Sequence, residues 1–152
     1  MSTPRPFAFW IIVAFLLLSV ILMLTGQTMA VFDYDLTVRL GLQEHVDEVG
    51  AFGVQVNRAF GAADTLVYIP LMVISIVGLF HRRRWSLLTT AAVVGISFYW
   101  SATVTFVILF SQGVSGYNYV PGLYIWAFIG VYLVFGVVGL PYLVFRGDRL
   151  LR

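Results

Sequence analysis

The chain has 152 residues, 61% of them hydrophobic and 11% charged, with a formal net charge of +2. That balance excludes an ordinary soluble domain, and the excess charge comes from arginines flanking apolar runs, which marks membrane orientation and not a nucleic-acid surface. No cysteine occurs, so disulfides, thiol redox chemistry, iron–sulfur clusters and cysteine-held zinc are excluded together.

Four apolar runs, at about 7–32, 59–80, 86–112 and 120–145, approach or exceed the roughly 20 residues that a spanning helix needs. The sequence predicts an all-α bundle of four transmembrane helices, forming a single membrane domain over residues 1–152. Seven of the nine arginines flank three of the run ends: Arg5, Arg82, Arg83, Arg84, Arg146, Arg149 and Arg152. Only Arg39 and Arg58 stand on the other side. The positive-inside rule then puts both termini and the Arg82–Arg84 loop in the cytoplasm. The expected location is a multi-pass protein of a bacterial-type inner or plasma membrane.

The first run is apolar from Phe7 to Leu24, longer than the 7–15 residues of a signal-peptide core, and no Ala-x-Ala-like cleavage site follows. A retained helix is expected, with Thr25, Gln27 and Thr28 making its outer end polar. Residues 33–58 form the one sizeable extramembrane segment. There Leu42, Val46, Val49, Val56 and Phe60 recur at helical steps, with Gln43, Glu44, Asp47, Gln55 and Arg58 mostly opposite, interrupted by Gly50 and Gly53. This amphipathic pattern is expected to lie along the outer membrane interface ahead of the second span.

In the second run Gly61, Asp64, Tyr68, Ser75 and Gly78 fall near one stripe, and Pro70 is expected to bend the helix and free a carbonyl. The third run carries Ser97, Ser101 and Thr105 at four-residue steps, a small-residue series that lets another helix approach closely. A polar outer loop, 113–121, leads to a fourth run containing Gly130, Gly136, Gly139 and Pro141.

Asp64 is the most informative residue. Counted from Ala59 it lies about 7–8 Å inside the outer end of its helix, at 1.5 Å per residue. A carboxylate there is costly unless paired, protonated or open to water. At matching depth stand Thr25 and Gln27, Thr103 and Thr105, and Trp126, which predict a polar layer around it. The layer reads as a ligand, ion or proton site; the alternative is packing, or a first-turn position favoured by the helix dipole. Asn57 shares the face of Asp64, and Arg58 and Asp64 with Glu44, Asp47 and Glu48 suggest an ion-pair network at the outer mouth. Tyr68, Tyr99, Trp100 and Tyr132 lie deeper than interfacial aromatic belts, where such rings find hydrogen-bond partners or line a pocket. The candidate binding set is Asn57, Arg58, Asp64, Tyr68, Trp100, Thr103 and Trp126, with Asp64 and Tyr68 the best candidates for proton transfer.

The alternatives are weaker. His45 and Glu48 are spaced to share a metal, but one histidine with loop carboxylates matches no established metal motif, and no metal or cofactor is predicted. His45 and His81 sit at opposite membrane faces and cannot ligate one haem across a roughly 30 Å core. The intramembrane serines have no base at their depth. The expected function is a binding or accessory/assembly subunit of a larger membrane complex, through other membrane subunits, self-association or a lipophilic small molecule. The alternatives are an intramembrane enzyme, isomerase- or oxidoreductase-like, acting on a lipophilic substrate, and a small proton- or cation-coupled carrier using Asp64.

Overall fold

In the computed structural model, which describes residues 4–151, every regular element is helical. Four helices are long and apolar enough to cross a membrane: Phe7–Phe32, Val46–Phe80, Trp85–Ser111 and Leu123–Leu151. They make an all-α four-helix bundle, the architecture of a multi-pass membrane protein. Arg152 lies outside the described residues. The third span packs closely on both the second and the fourth, and the first packs on the second. The first and fourth spans close the bundle through side chains, with the Phe15 and Phe135 rings stacked at 3.9 Å.

The outer amphipathic pattern behaves differently from the interfacial helix expected of it. It belongs to the second span, whose helix runs from Val46 to Phe80, with Gly50 (φ 72°) setting its first turn at an angle. Continuing one helix keeps the backbone bonds of residues 54–64 paired as the chain enters the membrane, where a break would leave them unmatched. Ahead of it a short helix, Tyr34–Arg39, is capped by Asp33, whose Oδ1 accepts from the Leu36 N–H at 2.9 Å.

His45 and Glu48 start the long helix. The His45 Nδ1 accepts from the Asp47 N–H at 3.2 Å, and Glu48 Oε2 accepts from the His45 N–H at 2.9 Å, a reciprocal capping box. Because Nδ1 is the acceptor in that cap, its 3.2 Å approach to Asp47 Oδ2 is not an ion pair. The loop before the fourth span docks on this helix start: the Asn118 N–H donates to the Glu48 carbonyl at 2.7 Å, and its side chain to the Asp47 carbonyl at 3.2 Å.

Arg5 ties the opposite end. It donates to the Phe80 carbonyl at 2.7 Å and the Leu79 carbonyl at 3.2 Å, capping the last turn of the second span, and its guanidinium stands 4.4 Å from the Phe9 ring centroid. It also reaches the Leu150 carbonyl at 3.5 Å, where the 3-10 turn Gly147–Leu151 folds back and buries Leu150 completely.

Several close contacts need glycine, two of them between spans far apart in sequence. A Cβ at Gly136 would stand 2.4 Å from the Phe98 Cβ of the third span, and one at Gly61 2.5 Å from the Gln27 carbonyl oxygen of the first. Gly130, one helix face away, has nothing within 4 Å. Gly136→Ala is therefore expected to cost about 1–3 kcal/mol by overpacking, whereas Gly130→Ala is neutral or stabilising. Unfolding in detergent micelles measures both, and equal stability of the two variants contradicts the close packing of the third and fourth spans.

Candidate functional site

Two of the spans widen at the same level. Over Met23–Thr28 and Asp64–Tyr68 the helix becomes π-helical, so that the Met29 N–H donates to the Leu24 carbonyl and the Ile69 N–H to the Asp64 carbonyl, five residues back. Such turns hold one extra residue and recur at functional sites. In the second span the wide turn comes just before Pro70, which has no N–H to continue an α-helical ladder. The two wide turns face each other. Gly61 brings them together against Gln27, and Thr28 and Thr65 join them at 2.8 Å. Since the Thr65 hydroxyl donates to the Gly61 carbonyl at 2.7 Å, Thr28 is the donor of that pair.

Asp64 opens the second wide turn and is only 6% exposed, and its Oδ2 is enclosed with no hydrogen-bond partner among the described residues. One turn further along the same helix Tyr68 is buried, as is Tyr132 of the fourth span. Both hydroxyl hydrogens are committed elsewhere. The Ser97 hydroxyl donates to the Val93 carbonyl at 2.9 Å, so the Tyr68 O–H donates to Ser97 Oγ at 2.6 Å. The Tyr132 O–H donates to Ser19 Oγ at 2.9 Å. Every span thus contributes a side chain: Ser19, Asp64 with Tyr68, Ser97, and Tyr132.

The predicted polar layer is only partly this cluster. Asp64 and Tyr68 are in it, and Trp100 packs beside it, its ring 5.6 Å from that of Tyr132. Thr25 is exposed and bonds its own helix at the Ile21 carbonyl, 2.9 Å away, while Trp126 is exposed near the outer end of the fourth span. Thr103 and Thr105 are half-buried, and Thr105 bonds back to the Ser101 carbonyl.

Asn57 belongs to a second constellation, at the outer cap, where it donates to Glu44 Oε2 at 2.7 Å and lies 3.1 Å from the Tyr34 hydroxyl oxygen. Arg58 donates to the Val31 carbonyl at 3.0 Å and meets Gln55, so the expected outer ion-pair network is not formed by it. Ser19 was not among the expected site residues. Its signal is that it is the one hydroxyl between Phe7 and Leu24.

No known protein family, curated protein or solved structure matches the chain.

At the outer cap, burial raises the Glu44 carboxyl above the usual carboxylate range, against the smaller opposing effects of its own backbone bond and those from Asn57 and Tyr119. A carboxyl raised on folding contributes stability that is complete below its unfolded pKa and is lost as pH rises through its folded pKa. The cap is thus expected to be tightest at acid pH and to loosen on going towards neutrality. Hydrogen exchange of residues 113–121 should speed up beyond the intrinsic pH effect across that window. Glu44→Gln should remove the excess. An excess that persists in the variant contradicts the assignment.

Proposed function

We propose that the chain is a membrane-embedded binding subunit that takes up a proton or a small cation at Asp64. One observation carries this reading: a buried carboxyl with an oxygen that has no partner among the described residues, one turn from Tyr68, whose hydroxyl hydrogen goes to Ser97. A neutral donor cluster would have turned a hydroxyl towards the carboxyl, and a structural ion pair would have placed an arginine beside it. Here the missing partner is a positive charge or a proton. With their hydrogens given to Ser97 and Ser19, the Tyr68 and Tyr132 hydroxyls have only lone pairs left to offer, which favours a cation over an anionic or carbonyl-bearing ligand. The facing wide turns supply helices whose local hydrogen bonding is already irregular, the kind of segment that adjusts when a ligand arrives.

A proton-transfer enzyme acting on a lipophilic molecule would use the same carboxyl, and a carrier would expose it alternately to each side. Both require that Asp64 changes protonation or occupancy during turnover. A purely structural subunit does not. Difference infrared spectroscopy of the purified protein, recorded against pH and against added alkali cations, reads the Asp64 carboxyl directly. We expect a carboxyl signal that responds to one of the two and is lost in Asp64→Asn, with helicity and assembly unchanged in the variant. Identical spectra of the two proteins under every condition would leave only the structural-subunit reading.

The proposed orientation has both termini and the Arg82–Arg84 loop in the cytoplasm of a bacterial-type inner or plasma membrane, because the arginines cluster at those ends. Arg83 and Asp47 are both exposed and the chain has no cysteine of its own. In intact cells Asp47→Cys is expected to react with an impermeant thiol reagent and Arg83→Cys to resist it. The opposite pattern inverts the topology.

A further inference from the structure

Between the first and fourth spans, the arginine-bearing half of the bundle is open to its surroundings. An apolar groove of about 290 Å³ runs there, walled by Ile12 and Phe15, by Val94 of the third span, and by Phe135, Gly139 and Leu143. Its size is close to the lower limit, about 300 Å³, of sites that hold small ligands. It exists because the stacked Phe15 and Phe135 rings prop the helices apart, while Gly139 seats the fourth span on Val94, where a Cβ would stand 3.2 Å from that side chain. The ring pair closes the groove at mid-depth. The other end reaches Ala8 and Tyr142, and one turn beyond Tyr142 on the same helix face stands the exposed Arg146.

The groove lies at hydrocarbon depth, its walls are apolar, and a cation stands at its interfacial mouth. We propose that it holds one acyl chain of an anionic phospholipid from the arginine-bearing leaflet, with the lipid phosphate at Arg146. The rim argues against a helix of a second copy. Val134 and Val138 are 58% and 62% exposed and stand up from the groove edge, where close helix approach needs small residues. A single flexible chain fits alongside them, in the groove between the first and fourth spans. Arginine pairs with phosphate through its planar fork, and one basic residue near an anionic surface contributes about 1 kcal/mol.

The full-length protein, released from nanodiscs of equimolar phosphatidylglycerol and phosphatidylcholine, is examined by native mass spectrometry for retained lipid. The wild type is expected to retain one phosphatidylglycerol in preference to phosphatidylcholine by about fivefold, the discrimination that one arginine supplies. Arg146→Gln, on the exposed surface, should bring that ratio towards one while a lipid is still retained. Val138→Trp, which fills the groove from its rim, should lose the retained lipid altogether. Equal retention of both lipids by the wild type overturns the proposal, as does a preference unchanged in Arg146→Gln. A dimer that dissociates in Val138→Trp shows that a second copy covers the groove, and also overturns it. If Val138→Trp does not fold, as judged by its circular dichroism, the Arg146→Gln comparison decides alone.

Discussion

A polar group in hydrocarbon has no water to turn to, and this constraint organises the bundle from its backbone to its candidate site. The hydroxyls show how it is met. Ser97, Ser101 and Thr105 each bond back to a carbonyl of their own helix, at 2.8–2.9 Å. Each oxygen then keeps its lone pairs for a neighbour, and Ser97 uses them to accept from Tyr68 of another span. The interhelical bonds are thus a by-product of satisfying each helix locally. Among the described residues two buried side-chain atoms stay unpaired, the Thr90 hydroxyl and Asp64 Oδ2. A lone hydroxyl is a modest loss, whereas a carboxyl is the most expensive exception available at that depth.

The two ends of the bundle are held by different chemistry. At the outer end, side-chain amides and phenols knit three chain segments together: Asn118 to the start of the long helix, Asn57 to Glu44, and the Tyr34 hydroxyl to the Glu44 carbonyl at 3.0 Å. These contacts are short-ranged and mostly neutral. At the other end Arg5 bridges the N-terminal segment, the second span and the C-terminal turn. A guanidinium suits that task because its five donors fan out in a plane and meet several helix carbonyls at once.

Apolar length and arginine placement made the four spans legible, since hydrocarbon thickness and backbone bonding leave few other options. Asp64 and Tyr68 were legible for the same reason: ionisable and phenolic groups stand out against an apolar background. Tyr132 stood out among the deep aromatic residues, but Ser19 did not. Depth counted from assumed helix ends pointed to Thr25, Thr103 and Trp126, whereas the buried hydroxyl pairs are Tyr68 with Ser97 and Tyr132 with Ser19. The error has a physical source. The second helix begins at Val46, so the assumed outer end at Ala59 was not a helix end. Each wide turn also shifts the angular position of everything after it, and no residue preference announces a π-helical turn as glycine or proline announces a bend. Pro70 marked a disturbance without giving its form.

Those wide turns bear on how the chain tolerates change in length. Each is equivalent to one residue inserted into an α-helix, where a residue corresponds to about 100° of rotation and 1.5 Å of rise. Removing one residue from Met23–Thr28 would restore a regular helix and turn the outer end of the first span away from Thr65 and Gly61. The same deletion in Asp64–Tyr68 would swing either the carboxyl or the whole outer extension out of register. A loop such as 113–121 absorbs a lost residue by closing slightly. The interior of these two helices does not, although it looks uniformly apolar, so their residue count is as constrained as their residue types.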